Sequence, residues 1–113
     1  MHELSLCGAI AEIVTRRAGD RRVQVVHLQI GQLRQVVPDA LTFCWTMLTE
    51  DTDLDGSTLD VDRVAAVLTC RTCGTRSDLP DPPAFACVGC GGLDVAIEAG
   101  EEFAVTALDL IPV

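Results

Sequence analysis

The chain has no lysine and no tyrosine: all eight of its basic residues are arginine, and its aromatic side chains are one tryptophan and three phenylalanines. A core built from this sequence must therefore be mostly aliphatic. Seventeen acids against eight bases leave a formal net charge of −9. That balance argues against nucleic acid, whose phosphates are held by Lys/Arg patches. No apolar run reaches 18 residues, so no membrane span is expected. The opening Met1-His2-Glu3-Leu4-Ser5 has no basic stretch and no long apolar segment, so no secretory signal is expected either. A glycine-rich phosphate loop is missing, as is any nucleophile–base set, which turns the reading away from nucleotide hydrolysis and from catalysis in general.

What the chain does have is a pair of cysteine knuckles, Cys70-Arg71-Thr72-Cys73-Gly74 and Cys87-Val88-Gly89-Cys90-Gly91. Two Cys-x-x-Cys pairs can close a tetrahedral site around one ion, and the glycine after each second cysteine lets the backbone curl beneath it. Four sulfurs leave no open coordination position, so such an ion is structural. The stretch 67–98 holds few large apolar side chains and cannot offset its chain entropy by burial alone; a bound metal supplies the missing stability. Zinc suits the all-thiolate set. Iron in a rubredoxin-like arrangement is the rival, but that arrangement packs aromatic residues around its iron, and here only Phe85 is at hand. Loading four thiolates with one divalent cation takes the formal charge from −9 to −11. Metal-type cysteine spacing without a secretory signal places the protein in the reducing cytoplasm rather than among disulfide scaffolds. Cys7 and Cys44 stand apart and read as small apolar residues on helices.

Periodicity gives the rest of the organisation. Leu4 to Ala18 reads as a helix with Leu6, Ile10, Ile13, Val14 and Arg17 on one stripe, stopped by Gly19. Arg22 to Ile30 reads as a strand with Val26, Leu28 and Ile30 on one face and Val23, Val25, His27 and Gln29 on the other. Pro38 opens a second helix through Thr49, with Leu41, Cys44, Trp45 and Leu48 buried. Thr58 to Thr69 reads as one long strand running into the first knuckle; Asp94 to Glu98 is a short strand and Phe103 to Leu110 the last. The two outer strands flanking the lobe are expected to need each other to make a sheet. The fold expected is α/β: two helices with a three-stranded sheet (1–66 and 99–113), carrying an inserted zinc-ribbon-like four-cysteine lobe (67–98). Arg16, Arg17, Arg21 and Arg22 read as a solvated helix end, and Glu50 to Asp62, with six acids and no base, as a solvated loop and strand edge.

The N-terminus is the second candidate site. A histidine at position 2 is by itself an ordinary chain end. Its chemistry is nonetheless favourable to a metal. The α-amine of Met1, the His2 amide nitrogen and the His2 Nδ1 can form fused chelate rings. Nickel(II) and copper(II) promote the loss of the amide proton in a square-planar field, and zinc does not. Glu3 can add its amide nitrogen or carboxylate, or orient the imidazole. His27, mid-strand, reads as a half-exposed residue and not as a ligand.

Met1-His2-Glu3-Leu4-Ser5-Leu6-Cys7 followed by a helix resembles the start of the HypA/HybF nickel metallochaperones of NiFe-hydrogenase maturation. Ile30-Gly31-Gln32-Leu33 is similar to that family's Ile-Gly-x-Leu segment. The two knuckles are similar to its structural zinc site, and Gly100-Glu101-Glu102-Phe103 to the return into its last strand. The chain departs from the pattern at Gln29, where the family often has Glu, and at Val88, where it often has Pro. The resemblance implies nickel as cargo at His2 and Glu3 with the Met1 amine. It also implies structural zinc at Cys70, Cys73, Cys87 and Cys90, and delivery to a hydrogenase large subunit with a HypB-like partner GTPase. A homodimer is compatible with it. Two rivals stay open on the residues alone: a zinc-ribbon adaptor with an inert N-terminus, and an iron electron carrier.

Overall fold

The computed structural model describes residues 2–80 and 82–112, with His2 by its backbone alone. The order of elements is α1 (His2–Ala18), β1 (Val23–Gly31), a 3-10 turn (Gln32–Arg34), α2 (Pro38–Thr49), β2 (Thr58–Val64), β3 (Val67–Cys70), β4 (Arg76–Asp78), β5 (Val95–Ala99) and β6 (Phe103–Leu110). Two helices accompany two three-stranded sheets, ordered β2-β1-β6 and β4-β3-β5. The chain divides into two compact units. One comprises 1–29, 36–62 and 103–113; the other comprises 30–35 and 63–102. The segment 67–98 lies inside the second.

In the first unit α1 buries Cys7, Ile10, Val14 and Ala18, spaced by three and four residues. This stripe differs from the one expected. Leu6 and Ile13 are half-buried and Arg17 is exposed, although its guanidinium donates to the Val105 carbonyl at 2.6 Å. Arg16, Arg21 and Arg22 are exposed, as a solvated helix end requires. Gly19 stops the helix in the left-handed region (φ 61°), its N–H bonded to the Thr15 carbonyl.

Helix α2 buries Leu41, Trp45 and Thr49. Cys44 is only half-buried and Leu48 is 39% exposed, so the stripe is rotated from the one expected. Thr49 takes the third place because its hydroxyl donates to the Trp45 carbonyl at 2.8 Å and so carries no unmet polar group inward. The Trp45 indole donates to Ser57 Oγ at 3.0 Å, and Ser57 Oγ donates on to the Leu54 carbonyl at 2.6 Å. The acidic loop is thus pinned from within by one buried polar chain, while its carboxylates stay outside.

The strands flanking the lobe share one three-stranded sheet, with β1 between β2 and β6. One expectation about the strands is corrected. The stretch 58–69 is not one strand but two, in different sheets. The break falls at Ala65-Ala66. Ala66 N–H is taken by the Gln32 side-chain oxygen at 2.8 Å, and the Ala66 carbonyl accepts from Leu79 N–H at 2.9 Å. With both groups committed elsewhere, the ladder cannot run through. β4, between the knuckles, pairs antiparallel with β3 and had no clear alternating signature to announce it.

The core of the second unit is small: Ala66, Leu68 and Leu79, with Leu33 and Val95 packed against them. Segment 30–35 is stitched into this unit. Gly31 N–H donates to the Glu102 carbonyl at 2.7 Å, Leu33 N–H to the Gly100 carbonyl at 2.8 Å, and Arg34 Nε to the Glu101 carbonyl at 2.8 Å.

Candidate metal centre

The two knuckles are built alike. Cys70 N–H donates to the Thr75 carbonyl and Gly74 N–H returns to the Cys70 carbonyl, both at 2.9 Å. Cys87 N–H donates to the Gly92 carbonyl at 2.8 Å and Gly91 N–H to the Cys87 carbonyl at 2.9 Å. Gly74 and Gly91 lie in the left-handed region, at φ 80° and 74°, where a side chain is strained. Each turn leaves its first cysteine buried and its second exposed. Arg71 closes the first knuckle against the chain after the second: its N–H donates to the Asp94 carbonyl at 2.9 Å and its guanidinium to Asp94 Oδ1 at 2.7 Å.

The four sulfurs lie within 4.8 Å of one another. Cys70 and Cys90 approach to 3.7 Å, and Cys73 and Cys87 to 3.5 Å. Sulfurs about 2.3 Å from a common ion at tetrahedral corners sit about 3.8 Å apart, so the spacing fits one thiolate-bound cation. Backbone amides point at the sulfurs: Cys73 N–H toward Cys70 at 3.5 Å, Gly89 N–H toward Cys87 at 3.3 Å, and Cys90 N–H toward Cys87 at 3.4 Å. These bonds favour the thiolate. The Cys73 amide holds Cys70 below the ordinary thiol range, and the Cys90 and Gly89 amides hold Cys87 at about 6. Cys90 receives an amide from Gly92, but the combined effect of the neighbouring sulfurs of Cys70, Cys87 and Cys73 pushes it up to about 11. Four adjacent sulfurs cannot all carry charge alone; a soft divalent cation removes that conflict.

The chain was compared with known proteins. The family model for hydrogenase/urease nickel incorporation metallochaperones, HypA, matches residues 1–110. The chain belongs to the HypA family. It is 44% identical to the hydrogenase maturation factor HypA of Geotalea uraniireducens, covering 97% of this chain and 99% of the relative. It is 40% identical to that of Geobacter metallireducens over the same shares. In fold it is similar to the solution structure of the nickel metallochaperone HypA from Helicobacter pylori, with a TM-score of 0.68, 18% identity and 98% of each chain covered. The HypA family works in hydrogenase maturation by nickel incorporation, as metallochaperones.

Of the residues expected at the N-terminal site, Met1 and the side chain of His2 lie outside the described residues. Glu3 is half-buried, and its carboxylate accepts from Val37 N–H at 3.4 Å at the entry to α2. Cys7 lies one turn further along α1. Burial, then Cys44, then Glu3 push its thiol up to about 11, and its Sγ donates to the Leu41 carbonyl at 3.4 Å, the surroundings of an inert core residue. His27 is half-buried as expected, but its partners were not foreseen: Asp60 and Asp109 hold one ring nitrogen each. Nothing in the spacing of 27, 60 and 109 announces them, since strand order alone brings them together. No described helix is long and apolar enough to cross a membrane.

Proposed function

We propose that this HypA-family chain carries one nickel(II) ion at its N-terminus, on the Met1 amine, His2 and Glu3, and delivers it to the large subunit of a NiFe-hydrogenase. Zinc, held by Cys70, Cys73, Cys87 and Cys90, is structural. The reading includes a cytoplasmic location, a partner GTPase of the HypB type to supply nucleotide hydrolysis, and no catalysis by the chain itself.

The observation that carries the division of metals is the closure of the four-sulfur cluster. An ion saturated by four thiolates exchanges slowly and has no position for an incoming client ligand. The cargo therefore needs a second donor set. The chain has two histidines, and both ring nitrogens of His27 are engaged by carboxylates. His2 is the imidazole that remains. Helix α1 begins at His2. The first amide of a helix has no intrahelical acceptor, so the His2 nitrogen is one a metal can claim without unwinding the helix. The bond from Val37 N–H to the Glu3 carboxylate supports a role for Glu3 in orienting this end.

Calorimetry decides between this reading and an adaptor with an inert N-terminus. Nickel titrated into untagged protein should bind at one site. Blocking the α-amine with a tag, or His2→Ala, should abolish that binding while zinc content by elemental analysis stays at one per chain. Equal nickel affinity in tagged and untagged protein would sink the terminal site.

A further inference from the structure

We propose that His27 is a proton-operated clasp: a doubly protonated imidazolium that ties both outer strands, β2 and β6, to the central strand β1, and releases one of them when it loses a proton.

The geometry forces the protonation state. His27 Nδ1 lies 3.0 Å from Asp60 Oδ2 on β2, and Nε2 lies 2.9 Å from Asp109 Oδ2 on β6. An ionised carboxylate only accepts, so each contact needs an N–H on the ring. A neutral imidazole has one. Its other nitrogen would then set a lone pair against a carboxylate. Moving the missing proton onto an aspartate is the worse solution, because a carboxyl ordinarily holds its proton only below about 4 and imidazole below about 6.5.

The charged groups facing the ring agree. From β2 these are Asp60 and Asp62, and from β6 Asp109; no arginine lines the hollow they share with His27. Every facing charge favours the imidazolium. The bonds to Asp109 and then to Asp60 raise the histidine above its ordinary value, against a smaller opposing effect of burial. Thr106 on β6 adds a bond from its hydroxyl to the His27 carbonyl at 3.2 Å, so the same residue is gripped by backbone and by side chain.

The sign follows from linkage. A raised folded value means the clasp is fully closed below about pH 6.5 and opens as pH rises through the folded value.

Ring-nitrogen NMR of the 15N-labelled full chain tests this directly. His27→Gln assigns the signals, since only His2 is otherwise present. At low pH both His27 ring nitrogens should show imidazolium shifts, with a titration midpoint above about 6.5. Asp109→Asn and Asp60→Asn should each lower that midpoint, Asp109→Asn more. A midpoint at or below the ordinary value overturns the proposal. Amide exchange tests the release. After correction for intrinsic rates, the amides of the released strand, β2 or β6, should exchange faster above the midpoint in the natural chain and show no such step in His27→Gln. The same pH step in both chains overturns the clasp. If His27→Gln fails to fold, the natural chain and the two Asn variants decide alone.

Discussion

Gly31→Ala isolates the contact that joins the two segments of the second unit. A β-carbon added at Gly31 would sit 2.0 Å from the Gly100 carbonyl oxygen, 2.1 Å from its carbon and 2.6 Å from the Glu101 nitrogen. Non-bonded heavy atoms settle near 3.5 Å, so the overlap is roughly 1.5 Å. All three neighbours are backbone and cannot turn aside. Segments 30–35 and 99–102 must separate. That separation breaks the Gly31–Glu102 and Leu33–Gly100 bonds, at 2.7 and 2.8 Å, and draws Leu33 off the Ala66, Leu68 and Leu79 cluster. Each net hydrogen bond contributes about 0.5–1.5 kcal/mol and overpacking costs about 1–3 kcal/mol, so the expected loss is about 2–6 kcal/mol. A small domain holds about 5–15 kcal/mol in all. The assay is guanidinium unfolding of cobalt-substituted protein, followed by its thiolate absorbance, which reports on the four-cysteine unit. Gly8→Ala is the control. Its added carbon meets nothing within 4 Å and lies in the interior of α1, in the first unit, so it should stabilise that helix by about 0.5–1 kcal/mol, read by helical circular dichroism in the same titration. If Gly31→Ala unfolds within about 0.5 kcal/mol of the natural protein, the contact does not hold the unit together and the reasoning fails.

Three further outcomes are expected. Cys73→Ala should lose zinc and unfold the second unit, because its five-residue core cannot replace a metal contribution of about 10 kcal/mol or more; zinc content equal to that of the natural chain would contradict this. Acid should weaken zinc binding in a defined place. Zinc binds the deprotonated sulfurs of Cys70, Cys73, Cys87 and Cys90 and displaces their protons; zinc affinity measured by competition should therefore fall as pH falls through and below the ordinary thiol range, and an affinity independent of pH there would count against thiolate ligation. Trp45→Phe removes the indole bond to Ser57 from a site 1% exposed and should cost about 1–3 kcal/mol by circular-dichroism melting, whereas a melt indistinguishable from that of the natural chain would show the acidic loop to be anchored by other contacts.

The parts legible in the sequence are those fixed by local chemistry. The knuckles announce themselves because each turn is made by residues adjacent in the chain: Cys, two spacers, Cys and a glycine with positive φ. Helix α2 is likewise marked by Pro38 at its start, and its range agrees with the periodic reading. What stayed hidden was set by partners distant in sequence. Ala65-Ala66 carries no proline, glycine or charge to mark a break, and the strand is divided there because Gln32 and Leu79 capture the Ala66 backbone. Thr49 displaced Leu48 from the buried stripe through a hydroxyl bond that hydrophobicity does not register.

Gly31 and Gly100 show where the two kinds of information meet. The Ile-Gly-x-Leu and Gly-Glu-Glu-Phe segments carry the family resemblance without holding any metal, and as separate motifs they have no evident task. In the folded chain they face each other. Gly31 leaves room for the Gly100 carbonyl, while Gly100, at φ 116°, would place a β-carbon 2.7 Å from Ala66 Cα. A side chain at either position would force backbone apart, and a side chain at Gly100 would also be strained in conformation. The pair therefore acts as one close-packed joint in the second unit, required by the approach of three backbone segments rather than by any metal ligand.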